Sequence, residues 1–310
     1  MKTILIVLAA FSAALAGIAQ ADNPAPTPPA AIASTVDLNL LVLDREHHPV
    51  TGLTNSAFTI TEDGAPRAIQ SVAPAAGPVS LCLLIDESGS TYGVRGPIGE
   101  AAMALVRDLP AGSEVMVVNF ADRAHLYLPF TPASLIPPER LTTLTSRGAT
   151  AMFDGLVAAE IYLLANAHQK RRAMVLISDG GDNASNFSGE QAMQRLIRPG
   201  APLLYALSVP NKRDSSEEVS RSAGRLKNLF ELAGGLTLSA VNASDMARLA
   251  QEISAMVRGQ YVVSFVPGEA VRNGKMHKLE VKITPADKHE EIHTLAGYYA
   301  GEPGTENIAK

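Results

Sequence analysis

Two hydrophobic rhythms divide this chain. Over residues 35–75 the apolar positions recur every second residue. Val36, Leu38, Leu40 and Val42 alternate with polar positions that include Asp37 and Asn39, and Phe58 and Ile60 alternate with Thr59 and Thr61. The same period returns after Gln260, where Leu279, Val281 and Ile283 alternate with Glu280, Lys282 and Thr284. A period of two marks strands with one buried face. Asp63-Gly64 predicts a hairpin turn with Ala68–Val72 as the returning strand, and Asn273-Gly274 predicts a turn before the last alternating run.

Between these flanks the rhythm changes. Val79–Ile85 is apolar at every position but Ser80, the pattern of a strand buried on both faces. Further strands are expected at Glu114–Phe120, Met174–Ser178, Pro202–Val209 and Leu236–Val241. Helices are expected over Pro97–Arg107, Thr150–His168, Gly189–Ile197, Val219–Ala233 and Ser244–Val257, the last capped by Ser244. Asp122-Arg123 predicts a tight turn into an antiparallel edge strand, Ala124–Phe130. Strands alternating with helices predict an α/β fold, a doubly wound, mostly parallel sheet covered on both faces. Neither β flank has enough strands to bury a core alone. The two flanks, 35–75 and 259–301, are therefore expected to pair into one small β-sandwich, with the α/β domain, 78–258, inserted between them. Residues 22–34, rich in Pro and Ala, read as a linker, and 302–310 as a tail.

The first residues carry a different signal. Lys2 precedes an apolar run from Ile4 to Ala16, and Ala19-Gln20-Ala21 has the small-x-small form of a signal-peptidase site. Residues 1–21 are read as a signal peptide cleaved before Asp22. The mature protein is then exported, periplasmic or extracellular, with no membrane span.

Composition removes several classes. A net charge of −5, with 18% charged residues, argues against a general nucleic-acid binder, and the longest basic run is only Lys170-Arg171-Arg172. One cysteine excludes an intramolecular disulfide framework and a cysteine-based zinc cluster. Without tryptophan, and with 5% aromatics, stacking platforms for sugars or bases are not expected.

The candidate chemistry lies at three places: Asp86-Glu87-Ser88-Gly89-Ser90 after the first buried strand, Gly148-Ala149-Thr150 at the start of the long helix, and Asp179 after Met174–Ser178. In open parallel sheets ligands bind beyond the carboxyl ends of the strands. The donors are two carboxylates and three hydroxyls, with no imidazole or thiolate. That set suits a hard ion, Mg²⁺ first, with Mn²⁺ and Ca²⁺ as alternatives. Only two protein charges face a doubly charged ion, so an incoming carboxylate gains by joining it. Asp86-x-Ser88-x-Ser90, Thr150 and Asp179 resemble the five positions of the metal-ion-dependent adhesion site of von Willebrand factor A domains. The resemblance covers about residues 78–258 and includes the runs LLIDESGS, GATAMFDGL and VLISDGGDN. The flanks resemble those of bacterial exported proteins carrying such domains. The resemblance implies hydroxyl contacts to the ion from Ser88, Ser90 and Thr150, carboxylate contacts, direct or through water, from Asp86 and Asp179, and a switch in the contact made by Thr150. It also implies a non-enzymatic, metal-dependent protein-binding module whose partner supplies an Asp or Glu.

Other residues are read more plainly. Cys82, inside the first buried strand, is a packed core thiol. His47-His48 belongs to a solvated turn. Asp182 is a loop carboxylate near Asp179, with a supporting role as the alternative. The loop Asn211–Glu218 follows a parallel strand and is expected on the rim of the site. The enzyme alternative is an aspartyl-phosphate hydrolase with Asp86 as nucleophile. Its weakness is Ser88, which stands where a second carboxylate acid would be needed. A structural envelope scaffold with an unused site is the remaining alternative.

Overall fold

The antiparallel flanks interlock across almost the whole length of the chain. The computed structural model describes residues 35–75, 77–145, 147–210, 224, 226–268, 275–284 and 290–300. The expected signal peptide 1–21, linker 22–34, rim loop Asn211–Glu218, turn Asn273-Gly274 and tail 302–310 lie outside these residues. Strand β1 (Val36–Leu43) pairs with β11 (Tyr261–Phe265) and with β13 (Glu291–His293), and β4 (Ile69–Ala73) closes the other edge, giving the order β13-β1-β11-β4. A second sheet runs β14 (Gly297–Tyr299), β12 (Met276–Ile283), β2 (Phe58–Glu62) and β3 (Ala65–Arg67). Each sheet mixes strands from both flanks, and one apolar core joins them through Leu38, Leu40, Phe58, Ile60, Val263 and Leu279. Tyr261 and Phe58 meet edge to face across that core with centroids 5.5 Å apart. Among the described residues the joined sandwich is the observed arrangement.

Two details of the flanks differ from the sequence reading. The Asp63-Gly64 turn is present, with φ of 51° and 80°, but its returning strand is the short β3, Ala65–Arg67. The chain then crosses, and β4 pairs with β11 in the other sheet rather than with β2. The alternation in β1 also hides a second buried face. Leu41 and Leu43 pack into the core of the inserted domain. Asn39, only 3% exposed, donates from Nδ2 to Ala201 O (3.0 Å) and accepts at Oδ1 from Arg172 N–H (3.1 Å). A sheet covered on both sides loses the polar face that period-two reasoning assumes.

The inserted region is a six-stranded sheet in the order β10-β9-β8-β5-β6-β7. Its strands are β5 (Ser80–Asp86), β6 (Glu114–Phe120), β7 (Ala124–Pro132), β8 (Arg172–Ser178), β9 (Leu203–Ser208) and β10 (Leu236–Ser239). All neighbours run parallel except β7, the antiparallel edge strand expected from the Asp122-Arg123 turn. Successive residues of β5 point to opposite faces. Leu81, Leu83 and Ile85 meet α1 (Arg95–Arg107) and α6 (Met246–Arg258), while Cys82 and Leu84 meet α3 (Met152–Asn166), α4 (Gly189–Leu196) and the helical segment 226–232, α5. A four-residue helix, α2 (Glu139–Thr142), lies in the loop before α3. Cys82 is fully buried, and desolvation pushes its thiol pKa far up, consistent with a packing role. The cap of α6 differs from expectation. Asn242, not Ser244, caps the turn Ala243–Asp245 that leads into it, accepting from Ser244 N–H (3.0 Å). Asn is as good a cap as Ser, and position relative to the first turn decides between them.

The basic run Lys170-Arg171-Arg172 serves assembly. The Arg171 guanidinium donates to the carbonyls of Pro74 and Gly77 where the chain enters the inserted domain. Arg172 Nη1 donates to Gly200 O (3.2 Å), and Lys170 pairs with Asp37 of β1 (3.3 Å). A second buried charge sits on α3. Glu160 is fully shielded and receives both forks of Arg198, Nε to Oε1 at 2.8 Å and Nη2 to Oε2. Burial raises the Glu160 pKa, and the Arg198 bonds oppose that rise. Truncation of Arg198 strands a carboxylate without compensation. Arg198→Ala is expected to lower stability by about 3–5 kcal/mol, read as a drop in the urea midpoint, and an unchanged midpoint would contradict this account.

Candidate metal centre

Strand order places the site. After β5 the chain moves through α1 to β6 on one side, and β8 lies on the other side of β5. The reversal leaves a crevice at the carboxyl ends of β5 and β8, the usual ligand position in such sheets. Asp86 is the last residue of β5, and Asp179 follows the last residue of β8. Thr150 stands two residues before α3, which begins at Met152 rather than at Thr150.

The first loop is folded around its own carboxylate. Ser88 N–H donates to Asp86 Oδ1 (2.8 Å), and Thr91 Oγ1 donates to the carbonyls of Asp86 (3.1 Å) and Ser88 (3.0 Å). This tight turn brings the Ser88 and Ser90 hydroxyls to 3.0 Å from each other. Ser178, at the end of β8, donates to Asp86 Oδ2 (2.6 Å) and ties the two strand ends together. Beyond Ser90, the Arg95 guanidinium lies 4.0 Å over the ring of Tyr92, which is 56% exposed beside the loop.

Thr150 is held from two directions. Its N–H donates to Asn183 Oδ1 (2.8 Å), and its carbonyl accepts from the N–H groups of Asn183 (2.9 Å) and Ala184 (3.0 Å). The segment before it is pinned by Gly89 N–H to Gly148 O (3.1 Å) and by Ala149 N–H to Asp122 Oδ1 (2.7 Å). Gly148 has φ of 83°, and a Cβ there would lie 2.5 Å from the Asp122 carboxylate, so glycine alone fits. Glu87, 7% exposed, accepts from Thr145 N–H (3.3 Å) and Thr145 Oγ1 (3.2 Å), while its carbonyl accepts from Arg147 N–H (2.7 Å).

Asp86, Ser88, Ser90, Thr150 and Asp179 thus gather at one sheet edge. Asp86 is fully buried and its pKa is pushed up to about 6. Burial is the main cause and the charge of Asp179 the second, with hydrogen bonds from Ser178 and Ser88 opposing them. Two carboxylates that repel in a desolvated crevice, beside hydroxyls already turned toward each other, suit a small hard cation. A cation relieves the repulsion and replaces the lost hydration. The five side chains offer oxygen donors with no imidazole or thiolate among them, a set that suits hard ions better than zinc or copper.

Four supporting residues escaped the sequence reading, Glu87, Asp122, Ser178 and Asn183, and for Asp182 the alternative, a supporting role, is the one observed. Asp182 Oδ2 accepts from Phe153 N–H (3.0 Å) and Ser185 Oγ (2.6 Å), so it caps the start of α3 rather than standing free in water. A positional signal existed for Asp122. It lies two residues past the end of β6, the neighbour of β5, and so shares the carboxyl edge.

Residues 81–181 match the family model described as the von Willebrand factor type A domain. The matched stretch runs from β5 to just past β8 and contains Asp86, Ser88, Ser90, Thr150 and Asp179. Among solved structures, a von Willebrand factor type A protein from Catenulispora acidiphila is similar at 14% identity, over 87% of this chain and 74% of that one, with a TM-score of 0.49. The D319A mutant of the PilB minor pilin from Streptococcus sanguinis is similar at 15% identity, over 59% and 62%, with a TM-score of 0.47. The pilus adhesin SpaC from Lactobacillus rhamnosus GG is similar at 11% identity, over 71% and 34%, with a TM-score of 0.46. The chain therefore spans less than two thirds of the pilin and about a third of the adhesin. No curated protein matched the sequence. Among the described residues no helix is long and apolar enough to cross a membrane.

Proposed function

We propose that this protein is an exported, metal-dependent protein-binding module, not a catalyst. Asp86, Ser88, Ser90, Thr150 and Asp179 would hold Mg²⁺. The ion would supply a coordination position and positive charge for a carboxylate from a partner's Asp or Glu. The observation that carries this reading is the buried, mutually repelling pair Asp86 and Asp179 among three hydroxyls at the crevice of the sheet. The all-oxygen donor set favours Mg²⁺ over softer ions. Hydrolysis through an Asp86 acyl phosphate finds less support, because Ser88 offers no carboxylic acid and the Asp86 oxygens already accept from Ser88 and Ser178. The leader-like pattern of residues 1–21 supports the export part of this reading.

The test is calorimetric Mg²⁺ titration followed by capture of partners from the host's envelope fraction, with Mg²⁺ or with EDTA. Thr150→Ala is expected to keep most of the Mg²⁺ affinity, since both carboxylates remain, yet to lose most partner capture. Capture indifferent to EDTA, or a Thr150→Ala protein that captures partners at the wild-type level, would overturn the reading or the role given to Thr150, respectively.

A further inference from the structure

A groove of about 370 Å³ opens beside the metal-site loops. Its apolar lining comes from Met152 and Phe153 in the first turn of α3 and from Leu226, Leu229 and Leu232 on α5. Two facts connect it to the metal site. Met152 is two residues from Thr150, and Gly180, also in the lining, directly follows Asp179. Consecutive Cα atoms are about 3.8 Å apart, so the rim lies within about 8 Å of two proposed metal ligands.

The lining also states what can enter. Leu232 is 67% exposed and Leu229 half-buried, so apolar surface faces water next to a strongly polar centre. Asp182 is the one charged residue among the described lining residues, and its Oδ2 already accepts from Phe153 N–H and Ser185 Oγ. A negative, hydrogen-bonded wall repels an acidic side chain and leaves the apolar floor for an uncharged one. The volume suits one or two side chains rather than a whole folded element.

We propose that this groove receives a bulky apolar side chain, Leu, Ile, Met or Phe, from the same partner segment that offers its carboxylate to the metal. An extended segment advances about 3.3 Å per residue, so the apolar residue lies one to three positions from the acid. The partner is then recognised as an acidic-plus-apolar segment, not as a lone carboxylate. This inference rests on the metal-dependent reading above and adds a determinant that the metal cannot supply, because any carboxylate satisfies an ion.

The test uses a displayed library of twelve-residue peptides, each with one fixed central Glu and random elsewhere, selected on the full protein in Mg²⁺. The enriched peptides should carry Leu, Ile, Met or Phe within three residues of the Glu. Leu232→Ser should weaken them about tenfold, with Mg²⁺ affinity and unfolding temperature unchanged. Replacing the peptide's apolar residue by Ser should give a similar loss on the wild-type protein and little further loss on Leu232→Ser, as a shared contact requires. Enriched peptides without an apolar bias, no enrichment at all, or full affinity in Leu232→Ser would overturn the groove while Mg²⁺ binding still stands. Absence of Mg²⁺ binding by the wild-type protein, or peptides held equally well in EDTA, would instead sink the metal reading.

Discussion

Asp86→Asn should make the metal-free protein more stable while removing its Mg²⁺ affinity. Asn is nearly the same shape. Its Oδ1 still accepts from Ser88 N–H, and its Nδ2 can donate to Ser178 Oγ, so both bonds made by the native carboxylate have a replacement. What disappears is a charge held in a desolvated crevice against Asp179. The folded pKa of Asp86, about 6, lies above its ordinary value of 3.8. A carboxylate raised in this way helps the fold below the ordinary value and loses that contribution as pH rises through the folded value. At neutral pH the wild type therefore carries a penalty on the order of 1–3 kcal/mol that the variant lacks. In EDTA at pH 7.5 the variant should unfold at a higher temperature, and the gap should shrink as pH falls from 6 to 4. Saturating Mg²⁺ should reverse the order, since only the wild type gains from binding. A variant less stable than wild type in EDTA would show that the crevice is not strained by its charges. Retained Mg²⁺ affinity would remove Asp86 from the site.

Deletion of residues 35–75 should destroy the C-terminal strands as well. β1 is the strand between β11 and β13, and β2 lies between β12 and β3, so the deletion leaves β11 and β13 without partners and β12 paired with β14 alone. Tyr261, Val263, Phe265, Leu279 and Ile283, all buried in the intact protein, would face water. Each such side chain is worth about 1.5–3 kcal/mol on burial, and the unpaired edges invite association. The expected result is aggregation, with loss of hydrogen-exchange protection across 261–265 and 276–283. Protection retained in those strands would mean that the two flanks are energetically separate.

Sequence pattern revealed the main architecture because the two periods are physically distinct. Val79–Ile85 had to be buried on both faces, and Leu279–Ile283 on one, so an α/β region between β flanks could be read directly. The placement of Asp86 and Asp179 at one sheet edge was legible because strand ends locate the crevice. The supporting shell was not. Glu87, Asp122 and Asn183 act through backbone N–H groups contributed by Thr145, Ala149 and Thr150, contacts that depend on how three loops meet in space. The role of Asn39 was hidden for a similar reason. A polar residue on an alternating strand looks solvated until a second domain covers it. The crossing of β4 into the other sheet was equally invisible, because alternation assigns a strand a buried face but no partner.

The interlocked flanks also set an order of assembly. Tyr298 donates from its hydroxyl to Glu62, 236 residues earlier in the chain, and both are buried in the sandwich. On a chain made from its N-terminus, β1 and β2 exist long before the strands that complete their sheets. The α/β region, whose six strands and intervening helices lie between residues 80 and 258, has its own partners in hand first. The apolar faces of β1 and β2 must therefore wait through the synthesis of that entire domain. Once folded, the domain brings the ends of its two connections together and shortens the effective loop that the sandwich has to close. The late step is slow for a topological reason, since its contacts are among the most distant in the chain. A chain truncated after Arg258 would hold a completed crevice and an unfinished sandwich, an intermediate whose exposed apolar faces favour aggregation until the last fifty or so residues arrive.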